Sequence, residues 1–334
     1  MKIGTVGTNF IVDTFIEAVR KTGKAEIAAC YSRQPETAAG FAKKNGVPKS
    51  YTERDAFLQD RDLDCIYVAA PNALHYAWAR DALTAGRSVI CEKPFVSNAA
   101  ELEDLAALAK EKGLFLFEAL TVPHLPNFRL IREKLSALGP VRFVQLNFSQ
   151  YSSRYDAFLA GKNPNLFSPD FSGGALMDLN YYNLCFMLRL FGEPGELRYF
   201  VNKAENGIDI SGLLVLRYGG FIASAAATKD SDGSNFVQIQ GEKGYIVSRS
   251  TASNLRGGFE LVTRVAGAPS KEEHFNAQES GNVLVYEVED FVREYAAGDP
   301  SASWDALAES VTAARWMDRA RKDAGIVFTA DRRT

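Results

Sequence analysis

Cysteine and histidine are scarce in this chain. The four cysteines, Cys30, Cys65, Cys91 and Cys185, stand singly in apolar stretches, with no C-x-x-C pair and no regular spacing. That argues against a disulfide framework or a thiolate zinc site and reads as reduced core thiols of a cytosolic (cytoplasmic) protein. The three histidines, His75, His124 and His274, lie far apart, and nothing in their spacing suggests a metal site. There is no run of Lys and Arg and the net charge is only −3, so nucleic acid is not an expected partner. No apolar stretch approaches the ~20 residues of a membrane span. The apolar core of the opening MKIGTVGTNF is too short for a secretory signal. Internal repeats and low-complexity linkers are also lacking.

What is present is an ordinary globular composition, 46% hydrophobic and 24% charged, over 334 residues. That length supports a large core and predicts two domains. Up to about residue 120 apolar strands alternate with helices. Lys2–Val6, Glu26–Tyr31, Asp64–Ala70, Ser88–Cys91 and Leu114–Phe117 read as strands. Between them fall helices beginning near Ile11, at Glu36, at Tyr76 and after Asn98, the last with Glu101 as a capping-box partner. Apolar strands separated by helices pair in parallel with both faces covered, which predicts a doubly wound α/β domain over 1–120.

The rhythm then changes. A helix over Pro126–Leu138 and a strand over Val141–Gln150 lead into a long irregular loop at 151–172 and a helix over Ala175–Leu190. Six strands follow, with YGGF and GEKG as hairpin links, and two helices, Val283–Ala297 and Trp304–Lys322, end the chain. Residues 121–334 are therefore expected to form one α+β domain with a large, mostly antiparallel open sheet.

The first strand ends in GTVGTNFIVDTFI. A G-x-G-x-x-G turn there places a pyrophosphate on the helix N-terminus, where backbone N–H groups and the helix dipole favour an anion. The match is partial: Gly7 fits the first glycine, while Asn9 and Val12 occupy the other two places. Asn9 is expected to make the turn because asparagine tolerates left-handed backbone geometry. The second strand runs into Ser32 and Arg33, with no carboxylate to bind a ribose 2′-hydroxyl. A guanidinium suits a 2′-phosphate, although a solvated loop arginine is an equal reading of the residue alone. With the glycine turn, NADP(H) is favoured and NAD(H) stays possible.

GTVGTN, AAPNALH at 69–75, CEKPF at 91–95 and SGGALMDLNYYN at 172–183 together resemble the Gfo/Idh/MocA oxidoreductase family over nearly the whole chain. The resemblance implies an N-terminal Rossmann dinucleotide-binding domain and a C-terminal α/β domain whose open sheet forms a homodimer or homotetramer interface. It also implies hydride transfer at a hydroxyl-bearing carbon of a sugar, cyclitol or related diol. By the resemblance, Lys93 is the catalytic-site lysine, Glu92 its neighbouring acid, and Asp178 and Tyr182 the D-x-x-x-[H/Y] pair. Gly7, Thr8, Asn9, Phe10 and Ile11 would line the cofactor at the glycine turn, with Ser32 and Arg33 beyond. Ala70, Pro71, Asn72 and His75 would face it from the second loop, and Glu92 and Lys93 from the third. Tyrosine at 182 is similar to the branch containing glucose–fructose oxidoreductase and dimeric dihydrodiol dehydrogenase. EALTVPHLP departs from that branch at Thr121 and Pro123, which tells against aromatic dihydrodiols as substrates.

Hydride transfer leaves one proton to move at the substrate oxygen, so an acid/base must reach it. Asp178 and Tyr182, four apart on the expected helix, project from one face. Tyr182 is one candidate, its phenol made more acidic by a nearby lysine ammonium; Lys93 itself is the other. Asp178 would orient a substrate hydroxyl or the lysine. In the loop at 151–172, Arg154, Tyr155 and Asn165 are candidate substrate contacts. A dinucleotide-binding sensor or regulator without turnover is the alternative function, and a purely structural or interaction protein a third.

Overall fold

A computed structural model describes residues 1–332. They divide into two compact units, Met1–Ala119 with Ser280–Ala314, and Leu120–Glu279 with the chain from Arg315 onward.

The first unit is built from β1 (Lys2–Val6), α1 (Phe10–Thr22), β2 (Glu26–Tyr31), α2 (Pro35–Asn45), β3 (Lys49–Tyr51), α3 (Arg54–Leu58), β4 (Cys65–Val68), α4 (His75–Thr84), β5 (Ser88–Glu92), α5 (Ala99–Lys112) and β6 (Leu116–Ala119). The six strands form one parallel sheet in the order β3-β2-β1-β4-β5-β6. The order reverses between β1 and β4, and ligands of such sheets gather at that switch point, outside the carboxyl ends of the strands. Strands as apolar as CIYV and SVICE are buried throughout because helices cover both faces. Asn9 caps α1 and Asn98 caps α5 through side-chain acceptors, and the Glu101 carboxylate accepts from the Ser97 N–H at 2.9 Å.

The second unit adds α6 (Pro126–Lys134), β7 (Val141–Ser149), α7 (Tyr155–Leu159), α8 (Tyr181–Phe191), β8 (Glu196–Lys203), β9 (Asp209–Arg217), β10 (Ile222–Thr228), β11 (Phe236–Gly241), β12 (Gly244–Ser248), β13 (Phe259–Thr263) and β14 (Lys271–Phe275). Its eight-stranded sheet runs β14-β13-β12-β11-β7-β10-β9-β8. All neighbours are antiparallel except β7 and β10. The links at 218–221 and 242–243 are the expected hairpin connections. One sheet face carries alternate apolar residues into the core, while Phe200, Leu213 and Ile222 stay exposed on the other.

Three expectations are corrected. The residues 121–334 do not form a single unit, because α9 (Leu284–Ala297) and the start of α10 (Ser301–Asp323) belong to the first. A parallel sheet exposes two apolar faces, and α9 covers part of one: Phe291 stacks on Phe117 at 4.8 Å and Tyr295 meets Phe115 at 5.2 Å. The Trp304 indole N–H of α10 donates to the Leu114 carbonyl at 3.0 Å. The loop at 151–172 is not wholly irregular, since it holds α7 and two short 3₁₀ turns, Asn165–Phe167 and Pro169–Phe171. The helix expected over Ala175–Leu190 opens with a π-helical turn, Leu176–Asn180, before α8. Among the described residues no helix is long and apolar enough to cross a membrane.

Candidate active site

The first unit offers three loops at the carboxyl ends of β1, β4 and β5, adjacent strands in the sheet. At the first, Gly7 takes φ 111°, and a Cβ there would lie 2.6 Å from the Ala69 carbonyl, so the turn requires glycine. Asn9 does not adopt the left-handed geometry expected of it. Its φ is −85° and its ψ 174°, because it serves as helix cap instead: its side-chain Oδ1 accepts from the Val12 N–H at 3.3 Å. Its amide donates to the Ala69 carbonyl at 3.2 Å, which ties the first loop to the second. Thr8 and Ile11 are half-buried and Phe10 is 79% exposed, so the opening turn of α1 reaches solvent. Val12 is fully buried in the core around α1.

At the second loop Ala70, Pro71 and Asn72 are half-buried, while His75 is buried. Its Nε2 lies 2.7 Å from the Ala70 carbonyl and its Nδ1 3.0 Å from the Pro94 carbonyl. A neutral imidazole donates to one of them at a time. His75 therefore stitches the second loop to the third. Burial pushes its pKa down, the carbonyl contacts oppose this, and the charge of nearby Lys93 adds to it.

The third loop follows β5 and contains the cis Lys93–Pro94 bond. Glu92 points inward rather than to solvent. It is buried and accepts a hydrogen bond from the Tyr67 hydroxyl of β4, whose ring stacks on Phe15 of α1 at 3.7 Å. Burial raises the Glu92 carboxyl above its ordinary range, against the pull of Tyr67 and Lys93. Lys93 itself is half-buried at the loop. Ser32 is half-buried at the end of β2, its N–H bound to the Tyr51 carbonyl at 3.1 Å, and Arg33 is exposed beyond it.

In the second unit Asp178 lies on the π-helical turn and Tyr182 on the first turn of α8. The aromatic pair divides its roles: Tyr181 is buried in the core, while Tyr182 is half-buried with its ring 6.1 Å from that of Phe148. Asn180 and Asn183 pin the segment to β10 through the Ala225 and Ala226 carbonyls at 3.1 and 3.2 Å. The glycines before the turn admit chain, not open space. A Cβ on Gly173 would press on the Asn165 and Leu166 backbone at 2.7 Å. Gly174, at φ 105°, leaves room for the Asp209 carboxylate, which accepts from the Leu176 N–H at 2.6 Å and the Tyr199 hydroxyl at 2.7 Å. Arg154 and Asn165 are exposed, and Tyr155 packs among Tyr151, Phe158 and Phe167.

One buried charged side chain beside Asp178 escapes sequence reasoning. Lys229, just after β10, is buried and ion-paired to Asp178. In ATKDSDG it reads as a solvated turn lysine, and no sequence signal marks it otherwise.

Comparison with known proteins places this geometry. Residues 1–120 match the family described as "Oxidoreductase family, NAD-binding Rossmann fold", and residues 128–247 match the "GFO/IDH/MocA C-terminal domain". The chain is 35% identical over 334 residues to the uncharacterized oxidoreductase YgjR of Escherichia coli (strain K12), covering 99% of this chain and 98% of that protein. The chain belongs to the Gfo/Idh/MocA oxidoreductase family. A second member, scyllo-inositol 2-dehydrogenase (NADP(+)) IolU of Bacillus subtilis (strain 168), is 34% identical over 331 residues, 99% of each chain. The fold also matches KijD10, a 3-ketoreductase from Actinomadura kijaniata solved with NADP and TDP-benzene, at TM-score 0.85 and 21% identity over 97% of each chain. At that identity the likeness shows the fold alone.

As a Gfo/Idh/MocA member the chain is a nicotinamide-dependent oxidoreductase, and its residues fit the cofactor. Ahead of the capped Val12 N–H, the Phe10 and Ile11 N–H groups open α1 just after β1, where the strand order reverses, which suits a pyrophosphate. Gly7, Thr8, Asn9, Phe10 and Ile11 would hold that group. Arg33 and Ser32 would meet the ribose end, and Ala70, Pro71 and Asn72 the far side.

Proposed function

We propose that the protein transfers a hydride between NADP(H) and the carbinol or carbonyl carbon of a small polyhydroxylated substrate, of cyclitol, sugar or diol type. The observation that carries this reading is the position of Lys93. It follows β5 directly, at the sheet edge that also carries Gly7 and the loop from Ala70 to His75. The 34% identity to a dehydrogenase named for scyllo-inositol and NADP(+) supports the substrate class and the cofactor.

A bound nicotinamide supplies or accepts the hydride. The chain's own residues handle the proton. The substrate oxygen exchanges its proton with Tyr182 or with Lys93, a phenol and an ammonium that both need an adjusted pKa for the task. In the first assignment Lys93 polarises the oxygen and favours the phenolate; in the second Lys93 carries the proton. Asp178 accepts a hydrogen bond from a substrate hydroxyl and orients it. Arg33 pairs with the 2′-phosphate. The open face of the eight-stranded sheet, bearing Phe200, Leu213 and Ile222, joins copies of the chain into a homodimer or homotetramer.

A panel of scyllo-inositol, myo-inositol, aldoses and small diols, each with NADP⁺ and with NAD⁺, tests the reading by absorbance of the reduced nicotinamide. Turnover of at least one polyol, faster with NADP⁺, is expected. Arg33→Ala should then narrow the preference for NADP⁺. Lys93→Met and Tyr182→Phe should each lower kcat by about 10²- to 10⁴-fold, and the one that removes a limb of the rate–pH profile carries the proton. Tight NADP⁺ binding with no turnover of any member would favour the sensor reading instead.

A further inference from the structure

Lys229 is the only lysine among the buried residues described. Its backbone is fixed at the end of β10: its N–H donates to the Ile210 carbonyl at 2.9 Å, and its carbonyl accepts from the Ser152 N–H at 2.9 Å. The side chain is 2% exposed, its ammonium lies 5.3 Å from the Phe167 ring centre, and it donates to Oδ2 of Asp178. An ammonium withdrawn from water needs a charged partner, or the site would select a neutral side chain. Two carboxylates lie within reach of its field. Asp209 receives the Leu176 N–H and the Tyr199 hydroxyl through Oδ2 and feels the lysine's charge, whereas the close contact of Lys229 is to Asp178.

The two partners differ in exposure. Lys229 is sealed, whereas 21% of the Asp178 side chain remains accessible. Asp178 also lies on the π-helical turn Leu176–Asn180, and single π turns inside helices are frequent at functional sites. The accessible partner is the one able to meet a ligand; the sealed one is able only to hold it.

We propose that Lys229 is a positioning residue, whose buried ammonium fixes the Asp178 carboxylate in the orientation that receives a substrate hydroxyl. This rests on the role given to Asp178 in the proposed function. Lys229 would act through Asp178 alone and touch neither substrate nor cofactor.

The test is steady-state kinetics of wild type, Lys229→Met, Lys229→Arg, Asp178→Asn and the Lys229→Met/Asp178→Asn double variant. The probe is scyllo-inositol with NADP⁺, or the polyol of the panel with the highest kcat/KM. Loss of one charged hydrogen bond predicts that Lys229→Met lowers kcat/KM for the polyol by about 10- to 100-fold. The fall should lie mainly in the polyol KM, with the NADP⁺ KM within about twofold of wild type. Lys229→Arg should recover a large part of the loss. In the Asp178→Asn background, Lys229→Met should cost less than about threefold more. If Lys229→Met does not fold, Lys229→Gln, which keeps a donor without the charge, is read against the same expectations. Equal fold-losses in both backgrounds, wild-type kinetics in the single variant, or a parallel rise in the NADP⁺ KM would each overturn the inference. If wild type turns over no polyol, the proposed function fails and this inference with it. Turnover by wild type with any of the three overturning results sinks the inference alone.

Discussion

Glu287 of α9 shows what a buried acid costs when nothing balances it. It is buried, and its Oε2 has no hydrogen-bond partner among the described residues. Burial, then the charges of Glu92 and Glu118, push its carboxyl well above the ordinary range. Glu118 at least receives the Ser310 hydroxyl at 2.5 Å, and Glu92 that of Tyr67. Because the folded state holds the Glu287 proton more tightly than the unfolded chain, stability is lost as pH rises from the ordinary glutamate pKa through the folded one. Glu287→Gln abolishes that loss. Thermal melts should therefore show the variant gaining on wild type between pH 5 and pH 8, by about 1.4 kcal/mol for each unit by which the folded pKa is raised. A difference that stays constant across that range would show that the charge is not what burial penalises. Burial likewise raises the thiols of Cys30, Cys65 and Cys91, that of Cys30 to about 11.

At the scale of elements, legibility followed apolar patterning. CIYV and SVICE announce themselves as continuous apolar runs buried on both faces, and a strand such as Ile222–Thr228 by burial at alternate positions. β3 (KSY) and β14 (KEEHF) went unread because short, exposed edge strands carry no such period. α3 and α7, five residues each, are too brief to display one. The π-helical turn at Asp178 was illegible for a different reason. Its hydrogen-bond spacing is set by tertiary anchors, the Asp209 carboxylate under Gly174 and the Asn180 and Asn183 amides on β10, none of which a local pattern contains. Asn9 departs from the left-handed geometry expected of it because its side chain caps α1, a competition that no local pattern decides. The places of the motif residues in the elements are legible: Lys93 directly follows a strand, and Asp178 and Tyr182 stand at a helix start. Lys229 is not, because an ion pair 51 residues apart leaves no trace in spacing.

For the whole molecule, the sequence order of domains proved a poor guide to compact units, since α9 returns to cover the parallel sheet. The open sheet of the second unit poses the complementary problem of a face left uncovered. Phe200 is 63% exposed and lies opposite Leu213 in the β8–β9 register, with Ile222 on the same face at 47%. If copies of the chain bury this face, Phe200→Glu with Leu213→Glu should shift the species seen by light scattering from oligomer to monomer without lowering the melting temperature of the monomer's fold. An unchanged oligomer mass would place the interface elsewhere.

We propose that a hydride passes between a polyol carbon and a nicotinamide under the control of Lys93. It is tested most directly by incubating the protein with NADP⁺ and scyllo-inositol, or the panel's best polyol, deuterated at carbon, and weighing the reduced cofactor by mass spectrometry. We expect one deuterium in the NADPH formed by the wild-type protein and a fall in the rate of its appearance of about 10²-fold or more in Lys93→Met. Reduced cofactor without deuterium would rule out hydride transfer from that carbon, and an undiminished rate in Lys93→Met would remove Lys93 from the reaction.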